Sequence, residues 1–218
     1  MRHLLPLVRE GAGPADPDRT PVLDAALDAF LDFGVRRTSM GEVARRSRLS
    51  PATLYRRFAQ KSDLVTAVGL REVRRLLAEV DRRIDMRATA EDQIVELFVA
   101  CFEGMRENRL LNRLLSTEPE IVLPRLTLDG GPVIELGRDY LAEFLRRLQR
   151  TGDLPDYDPE PVAEVLARVA LSLALTRGTT IPLHQGERTR RFVLDHVAAF
   201  VGLSGPGGDP RPNPGGPR

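Results

Sequence analysis

The segment from Arg36 to Lys61 concentrates guanidinium, ammonium and hydroxyl groups, which bind the phosphates and base edges of nucleic acids. It holds seven arginines, one lysine and one glutamate, a net charge of +7. The whole chain of 218 residues carries only +1. Such a local excess of positive charge is typical of a surface that binds a polyanion. We therefore predict nucleic-acid binding here; the alternative is a basic surface that only faces solvent.

Two short helices around a turn would present these groups. Ser39 and Glu42 have the spacing of a capping box, in which a serine and a glutamate satisfy each other's backbone N–H groups at a helix start. Ser50 and Pro51 mark a second helix start, with serine as the N-cap and proline at the first helical position. This arrangement predicts a helix-turn-helix at residues 39–58, whose second helix is the recognition helix.

The segment TSMGEVARRSRLSPATLYRRFAQKSDL resembles the DNA-binding region of the TetR family of transcriptional regulators. Two positions depart from the family pattern. Arg48 stands at the usual turn glycine, so it must adopt a positive φ or the turn must differ. Gly41 stands where a basic DNA-contacting residue is common. The matching positions are Thr38, Ser39, Val43, Ala44, Ser50, Thr53, Leu54, Tyr55, Phe58, Lys61 and Leu64.

The resemblance and the helical spacing together indicate which residues meet DNA. Phosphate contacts are expected from the start of the motif and from its end, and base contacts from the recognition helix. Ser39 and Ser50, the two capping serines, belong to the predicted interface. The other predicted DNA-binding residues are Arg37, Thr38, Tyr55 and Lys61 on phosphates, Thr53, Arg56 and Arg57 on base edges, and Pro51 and Ala52 near thymine methyl groups.

Helical periodicity continues through the rest of the chain and predicts an all-α fold of about nine helices. Apolar positions from Leu64 to Ile84 indicate one long helix, capped at Ser62 and Asp63, that would connect the DNA-binding end to a distant body. The predicted organisation is a disordered arm at 1–15, a three-helix DNA-binding domain at 16–76, a helical ligand-binding and dimerisation domain at 77–203, and a disordered Gly/Pro-rich tail at 204–218.

The last predicted helix, residues 187–203, is apolar nearly all round, so both its own chain and a partner must cover it. Its predecessor carries a face of small residues that allows close helix approach. The TetR resemblance implies a four-helix bundle made by the last two long helices of each subunit. The predicted dimer-interface residues are Ala163, Ala167, Ala170, Ala174, Phe192, Val193, Val197, Phe200 and Val201.

The same resemblance implies an effector pocket among the middle helices. Few charges interrupt the apolar stripes there, which favours a lipophilic effector over a charged one. For each residue, ordinary core packing is the alternative interpretation. The predicted lining residues are Phe98, Phe102, Met105, Tyr140, Phe144, Leu166, Val169 and Leu173.

Catalytic and metal-binding motifs are missing from the sequence. There is no P-loop, dinucleotide fingerprint, GxSxG or HExxH, and His3, His184 and His196 form no metal-spaced cluster with Cys101. We therefore expect no catalysis, no cofactor and no metal. A single cysteine excludes an internal disulfide and fits a reducing cytoplasm, where Cys101 is expected to be a buried apolar side chain. No apolar run approaches the roughly 20 residues of a membrane span.

These observations predict a homodimeric, sequence-specific DNA-binding regulator of transcription. In the favoured form it is a cytoplasmic repressor released from a palindromic operator on double-stranded DNA by a small lipophilic effector. Two alternatives remain open: an effector-independent activator or architectural protein, and an enzyme that borrows a helix-turn-helix.

Overall fold

The computed structural model describes residues 19–176 and 178–203. The predicted disordered arm at 1–15 and tail at 204–218 lie outside these residues. The described part contains ten α-helices and no strand, which confirms the all-α prediction. They are α1 (Arg19–Phe33), α2 (Met40–Arg46), α3 (Pro51–Arg57), α4 (Lys61–Arg83), α5 (Ala90–Glu107), α6 (Arg109–Thr117), α7 (Pro119–Leu126), α8 (Gly131–Arg150), α9 (Pro159–Leu175) and α10 (Glu187–Phe192), which continues into a π-helical segment, Val193–Ala198.

Side-chain caps begin several helices where the sequence indicates them. The hydroxyls of Ser39, Ser50 and Thr89 each accept the backbone N–H three residues ahead. The predicted cap of α4, Ser62 and Asp63, lies inside the helix, which begins at Lys61 after the N-cap Gln60. The backbone N–H of Gln60 donates to Asp63 Oδ2 at 3.0 Å. Asp63 therefore caps α4 from inside its first turn.

Two separate apolar cores organise the helices, and α4 belongs to both. An N-terminal core contains Phe30, Leu54 and Leu64, each no more than 1% exposed. A C-terminal core contains Val80 of α4 together with buried side chains of α5, α8, α9 and the π-helical segment, among them Phe144. The long helix thus ties its first half to one core and its second half to the other.

Helices α6 and α7 join the N-terminal core, contrary to the predicted domain boundary at residue 77. Leu110 and Leu114 of α6 and Val122 of α7 are buried in the same cluster as Phe30. The boundary prediction followed chain order, whereas burial of apolar surface depends only on proximity in space. The N-terminal unit therefore consists of α1–α3, the first half of α4, and α6–α7.

Gly69 lies in α4 between the two cores, and a Cβ added there would meet no heavy atom within 4 Å. Glycine in a helix interior is less stable than alanine because it loses more backbone freedom on folding. We therefore expect Gly69→Ala to raise the free energy of unfolding by about 0.5–1 kcal/mol in chemical denaturation. A destabilised variant would contradict the open space seen at this position.

The C-terminal body is built around the α8–α9 pair. Ala163 is fully buried at this contact, and a Cβ on Gly137 would lie 3.4 Å from the Cβ of Ala167. Small residues on both helices therefore let the two backbones approach closely. Within the described ranges, no helix is both long and apolar enough to cross a membrane.

Candidate nucleic-acid interface and adjoining cavity

Helix α3 buries one face and exposes another, as expected of a recognition helix. Leu54 is completely buried in the N-terminal core. The opposite face presents Pro51, Ala52, Tyr55 and Arg56, all exposed; we call these four residues the recognition face. Tyr55 is 52% exposed, so about half of this aromatic side chain is accessible to a binding partner. An exposed aromatic beside a guanidinium can reach both the base edges and the backbone of a nucleic acid.

Thr53 and Arg57 lie off the recognition face, so the structure does not support their prediction as base readers. The Thr53 hydroxyl is 2.9 Å from Ser50 Oγ, and the Thr53 backbone N–H donates to the same oxygen at 3.1 Å. Thr53 thus takes part in the N-cap of α3. Both Thr53 and Arg57 are half-buried.

Two predicted phosphate contacts instead hold the turn between α1 and α2. Thr38 is 1% exposed, and its hydroxyl donates to the carbonyl of Gly34 at 2.7 Å. Lys61 Nζ donates to the carbonyls of Val35, Arg36 and Thr38 at 3.0, 3.3 and 3.1 Å. An ammonium has three protons, and here each has an acceptor. Thr38 and Lys61 therefore brace the turn, which leaves the phosphate-binding prediction for them without support.

The glutamate of the expected capping box is used for ion pairs. Ser39 caps α2 by accepting from the Glu42 backbone N–H at 3.1 Å. The Glu42 carboxylate accepts from Arg45 and Arg46 at 2.7–3.0 Å. These hydrogen bonds, that with Arg45 foremost, lower the pKa of Glu42 to about 2. Arg46 also pairs with Asp32 at 2.8 Å, so part of the basic charge is neutralised within the fold.

Other arginines remain available to a polyanion. Arg37, Arg48 and Arg56 are exposed and form no ion pair with any residue in the described ranges. They lie on the α1–α2 turn, on the α2–α3 turn and on α3, so exposed positive charge is present on each of these parts of the helix-turn-helix unit. Of the predicted phosphate contacts, Arg37 and Tyr55 are exposed as required.

The departure at Arg48 has a clear structural outcome. Arg48 adopts φ = 58°, the first of the two outcomes that the sequence left open. A residue with a Cβ thus occupies a backbone conformation that normally favours glycine. Gly41 is exposed, and a Cβ built there would lie 3.8 Å from Ser39 Oγ, an ordinary van der Waals contact. The surface of α2 therefore lacks a side chain at a position where the family often has a basic one.

Arg48→Gly is expected to raise the free energy of unfolding by about 1 kcal/mol relative to Arg48→Ala. Both variants lose the guanidinium, but only alanine keeps the Cβ that conflicts with a positive φ. Urea denaturation followed by circular dichroism measures the difference. Equal stability of the two variants would show that the turn is not strained.

A cavity of about 670 Å³ lies between the two cores. Its wall is mostly apolar, and its size is within the range of small-molecule sites in proteins. Helices α4, α5, α6, α7, α8 and α9 all contribute to it. Six of the predicted lining residues form part of the wall: Phe98, Phe102, Met105, Tyr140, Leu166 and Val169.

Two predicted lining residues do not reach the cavity. Phe144 is 1% exposed within the C-terminal core, and the guanidinium carbon of Arg147 lies 4.8 Å from its ring centroid. Its side chain thus packs into the interior of the body. Leu173 is half-buried outside the wall.

The N-terminal unit contributes part of the cavity wall, which the sequence did not reveal. Phe30 of α1, Val65 of α4, Leu114 of α6 and Val122 of α7 all line it. Their apolar spacing is that of ordinary core residues, so no local signal distinguishes them. The cavity consequently touches the unit that carries the helix-turn-helix.

The side chains that line the cavity include Cys101, which carries the only thiol of the sequence, and Tyr140, a buried phenol. Burial raises the pKa of the Cys101 thiol to about 12, so the thiol is protonated at neutral pH. Burial, together with the charge of Asp81, also raises the pKa of Tyr140. Its hydroxyl has no hydrogen-bond partner among the described residues.

Four of the nine residues predicted for the dimer interface, Ala163, Ala167, Val193 and Val201, are buried within their own chain. Ala170, Ala174, Phe192 and Val197 are half-buried. Ala163, Val193 and Val201 are at most 2% exposed. Ala167, Ala170, Ala174 and Val197 line the cavity, and the Phe192 ring packs 6.1 Å from that of Phe98. Two residues of the alanine face, Ala163 and Ala167, therefore pack within the subunit, where Ala167 lies opposite Gly137 of α8.

A different apolar surface on the last two helices is uncovered. Val165 and Val169 on α9 are each 47% exposed, and Phe200, from the predicted set, is 51% exposed. Val169 also forms part of the cavity wall, so this surface adjoins the cavity. Val165 and Val169 lie four residues apart and therefore share a helix face. We call these three residues the exposed apolar set.

Comparison with known proteins agrees with the helix-turn-helix and with the fold. Residues 22–68 match the family of bacterial regulatory proteins known as the tetR family. An uncharacterized HTH-type transcriptional regulator of Mycobacterium tuberculosis is 25% identical over 151 residues, covering 69% of this chain and 77% of that protein. The HTH-type transcriptional regulator UidR of Escherichia coli is 35% identical over 71 residues, covering 33% of this chain and 36% of UidR.

A solved structure extends the likeness to the body. The TetR family repressor AlkX from Dietzia sp., implicated in biodegradation of n-alkanes, superposes with a TM-score of 0.67 at 21% identity, covering 83% of this chain and 98% of AlkX. The family match, the related regulators and the shared all-helical fold lead to one conclusion: the chain carries a DNA-binding region of the tetR family of bacterial regulatory proteins, followed by a helical body with the fold seen in AlkX.

Proposed function

We propose that the protein is a homodimeric repressor that binds a palindromic operator and is released from it by a small lipophilic effector. The observation that carries this proposal is the apolar cavity, whose wall is shared by the helix-turn-helix unit and the body. A ligand there contacts both units at once. Such a ligand can favour one arrangement of the two over another.

Contacts to DNA are assigned to the recognition face and the exposed arginines. Arg56 is the principal base reader, since a guanidinium can bind guanine O6 and N7 together. Pro51 and Ala52 approach thymine methyl groups, and Tyr55 and Arg37 bind phosphates. This set omits Thr38, Thr53, Arg57 and Lys61, whose side chains are buried, half-buried or already hydrogen-bonded.

Dimerisation is assigned to the exposed apolar set on α9 and the last helix. Exposed apolar surface favours an interface because burying it removes it from water. A two-fold dimer would bring two recognition helices to successive major grooves, about 34 Å apart, and would so favour a palindromic site. As a regulator of chromosomal DNA, the protein would act in the bacterial cytoplasm.

The effector is expected to be largely apolar because the wall is dominated by aliphatic and aromatic side chains. AlkX, whose fold this chain shares, is a repressor implicated in biodegradation of n-alkanes, which is consistent with that expectation. The effector can shift DNA binding only by its difference in affinity for the two arrangements.

Two experiments test the proposal in order. Selection from random double-stranded DNA with the purified protein should enrich an inverted repeat; loss of all sequence preference would contradict a sequence-specific regulator. Thermal-shift measurements should then show stabilisation by apolar probes such as 1-dodecanol, and the same probe should release the selected duplex. Binding of DNA that no apolar probe alters would favour the effector-independent regulator.

A further inference from the structure

Glu118, at the junction of α6 and α7, reaches a segment more than eighty residues earlier in the chain. Its carboxylate accepts the backbone N–H of Val35 at 2.7 Å and that of Arg36 at 2.9 Å. The residue is only 7% exposed. Hydrogen bonds to a charged acceptor are stronger than those between neutral groups, and a buried N–H that loses its acceptor is costly. Glu118 therefore fixes this turn firmly.

The turn that receives Glu118 leads directly into the helix-turn-helix. Gly34 begins it with φ = 82°, and a Cβ there would lie 3.0 Å from both Glu118 carboxylate oxygens. Lys61 holds the same turn from the other side through three carbonyls. A carboxylate on the N–H groups and an ammonium on the C=O groups thus position the segment that carries Arg37 and precedes α2.

In the chain, Glu118 lies between two residues of the cavity wall. Leu114 precedes it by four residues and Val122 follows it by four, and both are buried and line the cavity. A ligand that displaces either side chain acts on the two helices between which Glu118 is held. Hydrogen bonds weaken steeply with misalignment. A small shift of the α6–α7 junction therefore weakens the hydrogen bonds that Val35 and Arg36 donate to Glu118.

We propose that Glu118 is a positioning residue for DNA binding, through which the state of the cavity wall sets the placement of the α1–α2 turn and of the helix-turn-helix. The inference rests on the proposed function for its link to an effector. The link from α6–α7 to the turn is testable without any ligand or DNA.

Glu120 provides a matched control on the same helix. Its carboxylate pairs with the Arg36 side chain at 2.8 Å, and both side chains are largely exposed. An exposed ion pair contributes little to stability. Glu120→Gln therefore removes a neighbouring carboxylate from the same partner residue without touching the backbone of the turn.

The first measurement is amide hydrogen exchange of Val35 and Arg36 in the full chain, resolved by NMR. In Glu118→Gln, one carboxylate oxygen becomes an NH₂ group that cannot accept, so exchange of at least one of these amides should accelerate about tenfold. Glu120→Gln should leave both rates unchanged. Equal rates in the two variants would overturn the proposal. Glu118→Asp, which keeps the charge but shortens the reach, serves if the glutamine variant does not fold.

The second measurement tests whether a change in the cavity wall alters the α1–α2 turn through Glu118. Val122→Ala should accelerate exchange of the two amides at least about twofold in the wild-type background and have no added effect in Glu118→Gln. Val133→Ala is the matched control, since Val133 lines the cavity from α8; it should have no effect in either background. An equal effect of Val122→Ala in both backgrounds would reduce Glu118 to a structural role and overturn the inference.

The two proposals fail in different ways. If 1-dodecanol neither binds nor releases DNA, the lipophilic effector is excluded, while the exchange results still decide the role of Glu118. If the probe releases DNA equally from wild type and Glu118→Gln, the proposal of a lipophilic effector is supported. The proposal that Glu118 couples the cavity wall to the helix-turn-helix is then overturned.

Discussion

Arg56→Ala lowers affinity for the selected duplex by about 5- to 150-fold, equivalent to about 1–3 kcal/mol. Arg56 is the exposed guanidinium of the recognition face and forms no ion pair with residues of the described chain. Its loss should also relax the base preference at one position of each half-site, because a bidentate contact to guanine discriminates between bases. Fluorescence anisotropy with the selected duplex and with single-base variants measures both effects.

Two other arginines serve as controls for this prediction. Arg37→Ala should weaken binding to all sequences alike and reduce the salt dependence by about one counterion, as expected of a phosphate contact. Arg82→Ala removes an exposed arginine that pairs with Glu79 on α4, away from the recognition face, and should leave binding unchanged. If Arg56→Ala behaves like Arg82→Ala, the recognition face is wrongly assigned.

Phe200→Asp should dissociate the dimer, with the dimer dissociation constant rising about 100-fold or more. A dimer interface that closes over Phe200 would have to bury two carboxylates without partners, which costs several kcal/mol. Operator affinity should fall in parallel, since one subunit would no longer hold its partner close to the second half-site. Sedimentation velocity over a range of protein concentrations measures the first effect, and anisotropy the second.

Leu128→Asp is the matched control for the dimer prediction. Leu128 is 88% exposed in the turn after α7, outside the last two helices. The same substitution there should leave both the dimer and DNA binding intact. Dissociation by Leu128→Asp, or a stable Phe200→Asp dimer, would place the interface elsewhere.

Local signals in the sequence predicted the helix-turn-helix well. Ser50 and Pro51, two neighbouring residues, specify the start of α3, and the place of Arg48 at a turn glycine left a positive φ as one of two possible outcomes. Such features depend on neighbours in sequence, so a single chain is enough to identify them.

Contacts between distant segments could not be predicted in the same way. The hydrogen bonds from Val35 and Arg36 to Glu118 span more than eighty residues, and a lone glutamate before a proline carries no sign of them. For the same reason, no pattern in the sequence indicated that α6 and α7 complete the N-terminal core.

Side chains with more than one suitable partner could not be assigned from the sequence either. An alanine face permits close packing equally within a subunit and between subunits, and Ala163 and Ala167 of this face pack within the subunit. Likewise, Lys61 can bind a phosphate or backbone carbonyls, and three carbonyls lie within reach. The sequence specified the chemistry of these residues but not which partner would be closest.

The most direct test of the account is the stoichiometry of the DNA complex. Native mass spectrometry of wild type with the selected palindrome should give two chains per duplex. A duplex carrying only one half-site should bind far more weakly, because only one recognition helix then finds its sequence. One chain per duplex, with equal affinity for the half-site and the palindrome, would contradict a dimeric, operator-binding regulator.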